Sequence, residues 1–89
     1  MAYRKPFTPR QRREAIQAYR SYRKHQSLLR RQYPPQDLEQ RQVLQEYREV
    51  ADAFGKELTK PDSRVNPDTL NYVEAKARWL MSEYWRLQA

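Results

Sequence analysis

Apolar residues recur at intervals of three and four positions in three separate segments of the chain, the spacing of one face of an α-helix. The stripe of the first segment is rich in tyrosine and consists of Ile16, Tyr19, Tyr22, Gln26, Leu29 and Tyr33. The stripe of the second consists of Leu44, Tyr47, Ala51, Phe54 and Leu58, widened by Leu38, Val43 and Val50. The stripe of the third consists of Leu70, Val73, Ala77, Leu80, Tyr84 and Leu87. These patterns predict three amphipathic helices.

Capping residues and prolines predict where the helices begin and end. Thr8 precedes a proline, a pair that suits the start of a helix because the proline needs no hydrogen-bond partner at the first helical position. The prolines at 34 and 35 must end that helix. Asp37 is the predicted N-cap of the second helix, which runs to about Leu58, and Asn66 is the predicted N-cap of the third.

Three helices of about twenty residues with short connections predict an all-α fold, a three-helix antiparallel bundle with up-down-up topology and a long basic first helix. We assign residues 1–8 to a basic N-terminal arm and 9–89 to a single domain. A chain of 89 residues that is 38% hydrophobic builds only a thin core. Gly55, the single glycine, weakens the second helix and would permit a close approach to its backbone.

The net charge of +7 is concentrated in the first third of the chain. Residues 1–33 contain ten basic residues and one acidic residue, Glu14, whereas residues 34–89 carry a net charge of −2. The first helix is therefore suited to an acidic protein, a phosphate group or a nucleic acid. The basic, acid-free residues 1–13 also partly fit a mitochondrial targeting segment.

The residues offer little for catalysis or metal binding. His25 is the only histidine and cysteine is absent, so no metal site can be completed, and His25 is expected on a solvated helix face. Apolar runs of at most three residues exclude a membrane span, and one glycine excludes a phosphate-binding loop. We predict that the chain is not an enzyme.

The stretch EAIQAYRSYRKHQSLLRR, residues 14–31, allows two interpretations. In the first, its tyrosines pack in the core and its arginines are solvated. In the second, the protein is an RNA-associated component, such as a mitochondrial ribosome subunit, whose cations follow a phosphate backbone. The cations of this second interpretation are Arg10, Arg12, Arg13, Arg20, Arg23, Lys24, Arg30 and Arg31.

The same stretch resembles the first helix of the LYR-motif family, small mitochondrial three-helix proteins named for the triplet Leu-Tyr-Arg. Here the triplet is Ala18-Tyr19-Arg20, with alanine in place of leucine. REVADAF places Phe54 late in the second helix, as the family does, although Gly55 follows where a basic residue is common. A polar loop and a third helix at NPDTL complete the resemblance, which covers residues 12 to 87.

The resemblance implies an adaptor or accessory subunit in the mitochondrial matrix that binds the acidic acyl carrier protein and docks it on a respiratory-chain complex or its assembly machinery. The implied carrier-binding residues are Tyr19, Arg20, Tyr22, Arg23 and Lys24. The carrier's acyl-phosphopantetheine, the only cofactor implied, would enter a tunnel lined by Leu44, Tyr47, Ala51, Phe54, Gly55, Val73, Ala77 and Leu80. Tryptophan is favoured at binding hot spots, so Trp79 and Trp85 are the candidates for a second protein interface.

Overall fold

Three α-helices form the regular structure of residues 3–89, the part of the chain that the computed structural model describes. Helix α1 spans Pro9–Gln32, α2 spans Leu38–Glu57 and α3 spans Pro67–Gln88. No strand occurs between residues 3 and 89. The all-α three-helix bundle predicted from the sequence is confirmed.

Side chains cap the start of each helix as the sequence predicted. The Thr8 hydroxyl accepts a hydrogen bond from the backbone N–H of Gln11 at 3.1 Å, and the Gln11 side chain accepts one from the backbone N–H of Thr8 at 3.1 Å. Asp37 and Asn66 likewise accept backbone N–H groups of the first turns of α2 and α3. These bonds satisfy donors that a helix start would otherwise leave unpaired.

Helices α2 and α3 pack against each other extensively and antiparallel. At one end of the pair, Gln40 donates from its side-chain amide to the carbonyl oxygen of Leu87 at 3.0 Å. At the other end, the Glu57 carboxylate accepts the backbone N–H of Asn66 at 2.9 Å. Gln40 and Glu57 are both buried, and a buried polar group without a hydrogen-bond partner destabilises the fold. The two bonds provide these partners.

Arg12 fastens the start of α1 to the end of α2. Its guanidinium donates to the carbonyl oxygens of Leu58 at 2.6 Å and Lys60 at 2.5 Å, and it forms an ion pair with Asp62. The last carbonyl groups of a helix carry partial negative charge, so a cation is stabilised there. The RNA interpretation included Arg12 among the phosphate-binding cations, whereas in the structure its guanidinium binds groups of the protein itself.

The predicted inward stripe of α3 lies in the core, whereas the predicted stripe of α1 is mostly half-buried, namely at Ile16, Tyr19, Tyr22 and Gln26. In α3 every predicted stripe residue is buried except Leu87, which is half-buried. Tyr33 and Leu38 were expected on the stripes but are 42% and 67% exposed. Tyr33 follows the last residue of α1 and Leu38 is the first residue of α2, so neither faces a neighbouring helix along its length.

The segment before α1 packs on the bundle. Tyr3 and Phe7 are 7% and 6% exposed and belong to the same core cluster as Phe54. Asn71 holds the segment on α3: its side chain accepts the backbone N–H of Tyr3 at 2.8 Å and donates to the Tyr3 carbonyl oxygen at 3.2 Å. The predicted basic arm therefore supplies core residues, while its residues 1 and 2 lie outside the described part.

Candidate partner-binding surfaces

Four basic residues lie in one line along the outer face of α1. They are seven, four and seven positions apart, so at about 100° per residue they fall within roughly 40° of one another and span about 27 Å. We call them the basic stripe: Arg13, Arg20, Lys24 and Arg31. All four are exposed, and within residues 3–89 none forms an ion pair. The stripe is a linear array of cations available to an anionic partner.

The predicted carrier-binding residues do not share one surface. Arg20 and Lys24 lie on the basic stripe, whereas Tyr19 and Arg23 face α2. The guanidinium of Arg23 donates to the Tyr19 hydroxyl at 3.1 Å, lies 5.8 Å from the centroid of the Tyr19 ring and is 3.8 Å from the Asp52 carboxylate. Tyr19 and Arg23 thus help to join α1 to α2.

The ring of Tyr19 makes the close approach that Gly55 permits. A Cβ atom built on Gly55 would lie 2.5 Å from Cε1 and 2.7 Å from Cζ of Tyr19. Carbon atoms pack optimally at about 3.5–4.0 Å, so only a residue without a side chain fits under the ring in this position. The resemblance assigned Gly55 to a tunnel wall, but here Tyr19 covers it.

Tyr22 points into the core and packs edge-to-face against two aromatic rings of α2. Its ring centroid is 5.5 Å from that of Phe54 and 6.2 Å from that of Tyr47. Burial, together with the nearby Glu74 carboxylate, raises the pKa of Tyr22 to about 12. Burial likewise raises the pKa of Tyr47 to about 12.

The residues predicted to line an acyl tunnel form a filled core. Six of them are at most 6% exposed, namely Tyr47, Ala51, Phe54, Val73, Ala77 and Leu80. The ring of Tyr22, which the resemblance assigned to the carrier-binding residues, packs against Phe54 and fills space within this set. Leu44 is half-buried and lines a different cavity, on the side of α2 that faces α1. The eight residues therefore do not border one open channel.

An open groove runs beside this core, between α1 and α3. Its volume is about 510 Å³, and its lining consists of Ser21, Tyr22, His25, Tyr47, Arg78, Met81 and Ser82. Tyr22 and Tyr47 separate the groove from the core. His25, expected on a solvated surface, is half-buried here, with its ring edge-on to Tyr47 at 6.1 Å. We call this feature the α1–α3 groove.

Trp79 and Trp85, predicted to form one second interface, lie on different surfaces of α3. Six positions separate them, which places them about 120° apart around the helix axis. Trp85 is 40% exposed and packs against the ring of Tyr33, 5.0 Å away. Trp79 is 59% exposed and shares the outer face of α3 with Tyr72, which is 66% exposed and lies seven positions earlier.

One polar cavity between α1 and α2 was missed by the sequence analysis. Its lining includes Arg41, Leu44 and Arg48 of α2 together with Gln26 and Arg30 of α1. The seven-residue spacing of Arg41 and Arg48 is a signal that a helical reading could have used. Whether these two arginines lie against α1 depends on how the two helices are aligned along each other, and the periodicity of a single helix does not predict that alignment.

Within residues 3–89 no group of three or more histidine, cysteine, aspartate or glutamate side chains could hold a metal ion. Among the helices of that same range, none is long and apolar enough to span a bilayer. The surfaces instead offer exposed cations, a groove bordered by aromatic rings, and exposed aromatic side chains.

Comparisons of the chain with protein-family models, with curated proteins and with solved structures find no significant match. The resemblance to the LYR-motif family therefore depends on the residues quoted above and on the three-helix fold.

Proposed function

We propose that this protein is a non-enzymatic LYR-type adaptor or accessory subunit of the mitochondrial matrix. It binds the acylated acyl carrier protein and docks it on a respiratory-chain complex or its assembly machinery. The observation that carries the proposal is the position of the basic stripe, which runs along α1 next to the α1–α3 groove. An acidic helix carrying a lipid chain requires this combination of a cationic line and an adjacent apolar recess.

The basic stripe provides the electrostatic part of the proposed contact. Arg20 and Lys24 lie at its centre, so they contact the carboxylates of the carrier's acidic helix. Because the stripe is exposed, salt screens it, and its main contribution is to orient the carrier and speed association. Arg23 contributes only if it leaves the Asp52 carboxylate.

The α1–α3 groove provides the apolar part. The acyl chain lies first between Tyr22 on α1 and Met81 on α3. Each methylene removed from water contributes about 0.8 kcal/mol, so six of them contribute roughly 5 kcal/mol before the cost of ordering the chain. Entry into the core positions assigned by the resemblance requires the Tyr22 ring to rotate away from Phe54.

The outer face of α3 is the proposed contact with the host complex. Tyr72 and Trp79 form an exposed aromatic pair on the side of α3 opposite its buried stripe. Large aromatic side chains dominate many protein interfaces because they bury much area with few rotatable bonds.

Reconstitution with purified acyl carrier protein tests the electrostatic part. Binding is measured by calorimetry for the wild type, for R20Q/K24Q and for the control R10Q, which removes an exposed arginine of α1 that lies outside the stripe and pairs with Glu14. We expect R20Q/K24Q to weaken binding at least tenfold and R10Q to weaken it less than threefold. Equal effects of the two variants would contradict a specific role for the stripe.

A second comparison tests the groove. The carrier is supplied with and without an acyl chain, and the wild type is compared with M81Q and with the control L38Q, which removes an exposed apolar side chain from α2. We expect the wild type and L38Q to prefer the acylated carrier and M81Q to lose most of that preference. A wild type that binds both carriers equally would contradict a lipid-binding groove.

The basic stripe also supports RNA binding as the second candidate function. Neutralising four phosphates of a single strand gives a slope of about −3 for the logarithm of affinity against the logarithm of salt concentration. Tyr72 and Trp79 lie on α3, away from the stripe, whereas Tyr33 is 42% exposed and follows the stripe residue Arg31 by two positions, where its ring offers a surface for base stacking. A complex that survives high salt supports the carrier, and RNA binding with the steep slope supports this alternative.

A further inference from the structure

The types of residue that meet between α1 and α2 change along the length of the two helices. In the middle of α1, Tyr19 lies opposite Gly55 and Arg23 lies opposite Asp52, so an aromatic contact is followed by a pair of opposite charges. The antiparallel register then brings the second half of α1 against the first half of α2. In that stretch Arg30 of α1 and Arg41 and Arg48 of α2 line one cavity together with uncharged residues.

A cavity of about 230 Å³ lies where these basic residues meet. Its lining consists of Gln26, Arg30, Pro35, Arg41, Leu44, Gln45 and Arg48. No acidic residue is among them, and within residues 3–89 none of its three arginines forms an ion pair. Like charges held together across a helix contact repel one another, so this part of the fold lacks a compensating anion.

Gln26, one of the residues that line the cavity, also carries a buried donor without an acceptor. The side-chain nitrogen of Gln26 is inaccessible to solvent and has no hydrogen-bond partner in the described part of the chain. Leaving such a group unpaired costs about 1–3 kcal/mol. Three arginines and the Gln26 side chain thus line a single small space, and all four side chains carry hydrogen-bond donors.

We propose that this cavity binds a phosphate group, either as inorganic phosphate or as a small phosphate monoester. Phosphate carries up to two negative charges on several acceptor oxygens, and arginine binds it with two parallel hydrogen bonds. Typical ligand pockets measure about 300–1,000 Å³, so a cavity of about 230 Å³ limits the ligand to a phosphate with few carbon atoms. Leu44 and Pro35 form the apolar wall for those carbons.

The phosphate site is separate from the surfaces of the proposed function. Arg30, Arg41 and Arg48 do not belong to the basic stripe, and none of the three lines the α1–α3 groove. The inference therefore does not rest on acyl carrier binding. The two can fail independently, because the variants that test them affect different residues.

NMR titration of the uniformly 15N-labelled protein tests the phosphate site. Sodium phosphate is added and compared with sodium chloride at equal ionic strength, and the Gln26 side-chain amide reports on the cavity itself. We expect saturable shifts of that amide with phosphate and none with chloride. An unmoved Gln26 amide, or equal shifts with both salts, would overturn the proposal.

Double arginine substitutions distinguish phosphate binding in the cavity from nonspecific attraction of phosphate to a basic protein. R41Q/R48Q removes two cavity arginines, and the control R13Q/R31Q removes two arginines of the basic stripe. We expect R41Q/R48Q to weaken phosphate binding at least tenfold and the control to weaken it less than twofold. R30Q, which changes the α1 side of the cavity, should weaken it at least threefold and provides the test if the double variant folds poorly. Equal weakening by R13Q/R31Q, or no weakening by R30Q, would overturn the site.

The same titration with glycerol 3-phosphate distinguishes the two sources of the phosphate. Tighter binding than inorganic phosphate assigns the site to a phosphate monoester whose carbons contact Leu44 and Pro35. Equal or weaker binding assigns it to free phosphate. Binding of neither would overturn the proposal.

Discussion

Replacement of Gly55 by alanine tests the contact that joins α1 to α2. Two effects of opposite sign compete at this position. Alanine is favoured over glycine inside a helix by about 1 kcal/mol, so G55A would stabilise α2 considered alone. The added Cβ, however, would lie 2.5 Å from Cε1 of Tyr19, so the ring has to move.

The size of that movement sets the expected result. The ring must retreat by about 1 Å to restore an ordinary carbon contact, and overpacking of this kind costs roughly 1–3 kcal/mol. Displacement also disturbs the hydrogen bond of 3.1 Å from Arg23 to the Tyr19 hydroxyl. We therefore expect G55A to lower the free energy of unfolding of the wild type by about 1 kcal/mol, since the clash outweighs the helix gain.

A double-mutant cycle measured by urea denaturation isolates the contact. In a Y19A background the ring is absent, so G55A should raise the free energy of unfolding by about 1 kcal/mol and thus change sign. The coupling energy between the two positions is then about 2 kcal/mol. Y19F is the matched control: it keeps the ring atoms nearest to Gly55, so G55A should remain destabilising there.

Stabilisation of the wild type by G55A that is as large as the stabilisation of Y19A would refute this contact. That result would mean that the Tyr19 ring does not cover Gly55, and the junction of α1 and α2 would have to be described differently.

Three further predictions concern the stability of the bundle. R12Q should lower the free energy of unfolding by roughly 2–3 kcal/mol, because Arg12 binds the end of α2, whereas R13Q should change it by less than about 0.5 kcal/mol in the same denaturation assay. Burial raises the pKa of Tyr47 to about 12, so the neutral Tyr47 side chain stabilises the fold fully below pH 10, and this stabilisation is lost as pH rises from 10 to 12. Y47F should therefore remove roughly 3 kcal/mol from the fall in the free energy of unfolding over this pH range. An unchanged fall would contradict this burial. Burial alone would raise the pKa of Glu57, but its hydrogen bonds from Asn66 and Lys60 outweigh burial and lower it, so E57Q should remove the part of the stability that is lost as pH falls below about 4.5; a wild-type acid profile in E57Q would argue against these bonds.

The helices and their ends could be predicted from the sequence because they depend on local chemistry. Thr8 and Asn66 cap the helices that follow them, and the spacing of Leu70, Val73 and Ala77 alone indicated the buried face of α3. The burial of Tyr3 could not be predicted in this way, because its hydrogen bonds are to Asn71, 68 positions later in the chain.

The candidate surfaces were predictable only in part. Periodicity identified residues such as Phe54 as inward-facing, but it could not tell whether the space between them is open or filled by the ring of Tyr22. The basic stripe could be read from the spacing of arginines along α1. The cavity of Arg30, Arg41 and Arg48 could not, since it arises only when two helices meet in one register.

Native mass spectrometry of the tagged protein, purified gently from its source, tests most directly whether this protein holds an acylated carrier. We predict an assembly that contains an acidic protein with an acylated phosphopantetheine group, together with subunits that identify the host complex. A protein that is recovered alone, or bound to RNA without a carrier, would contradict the account.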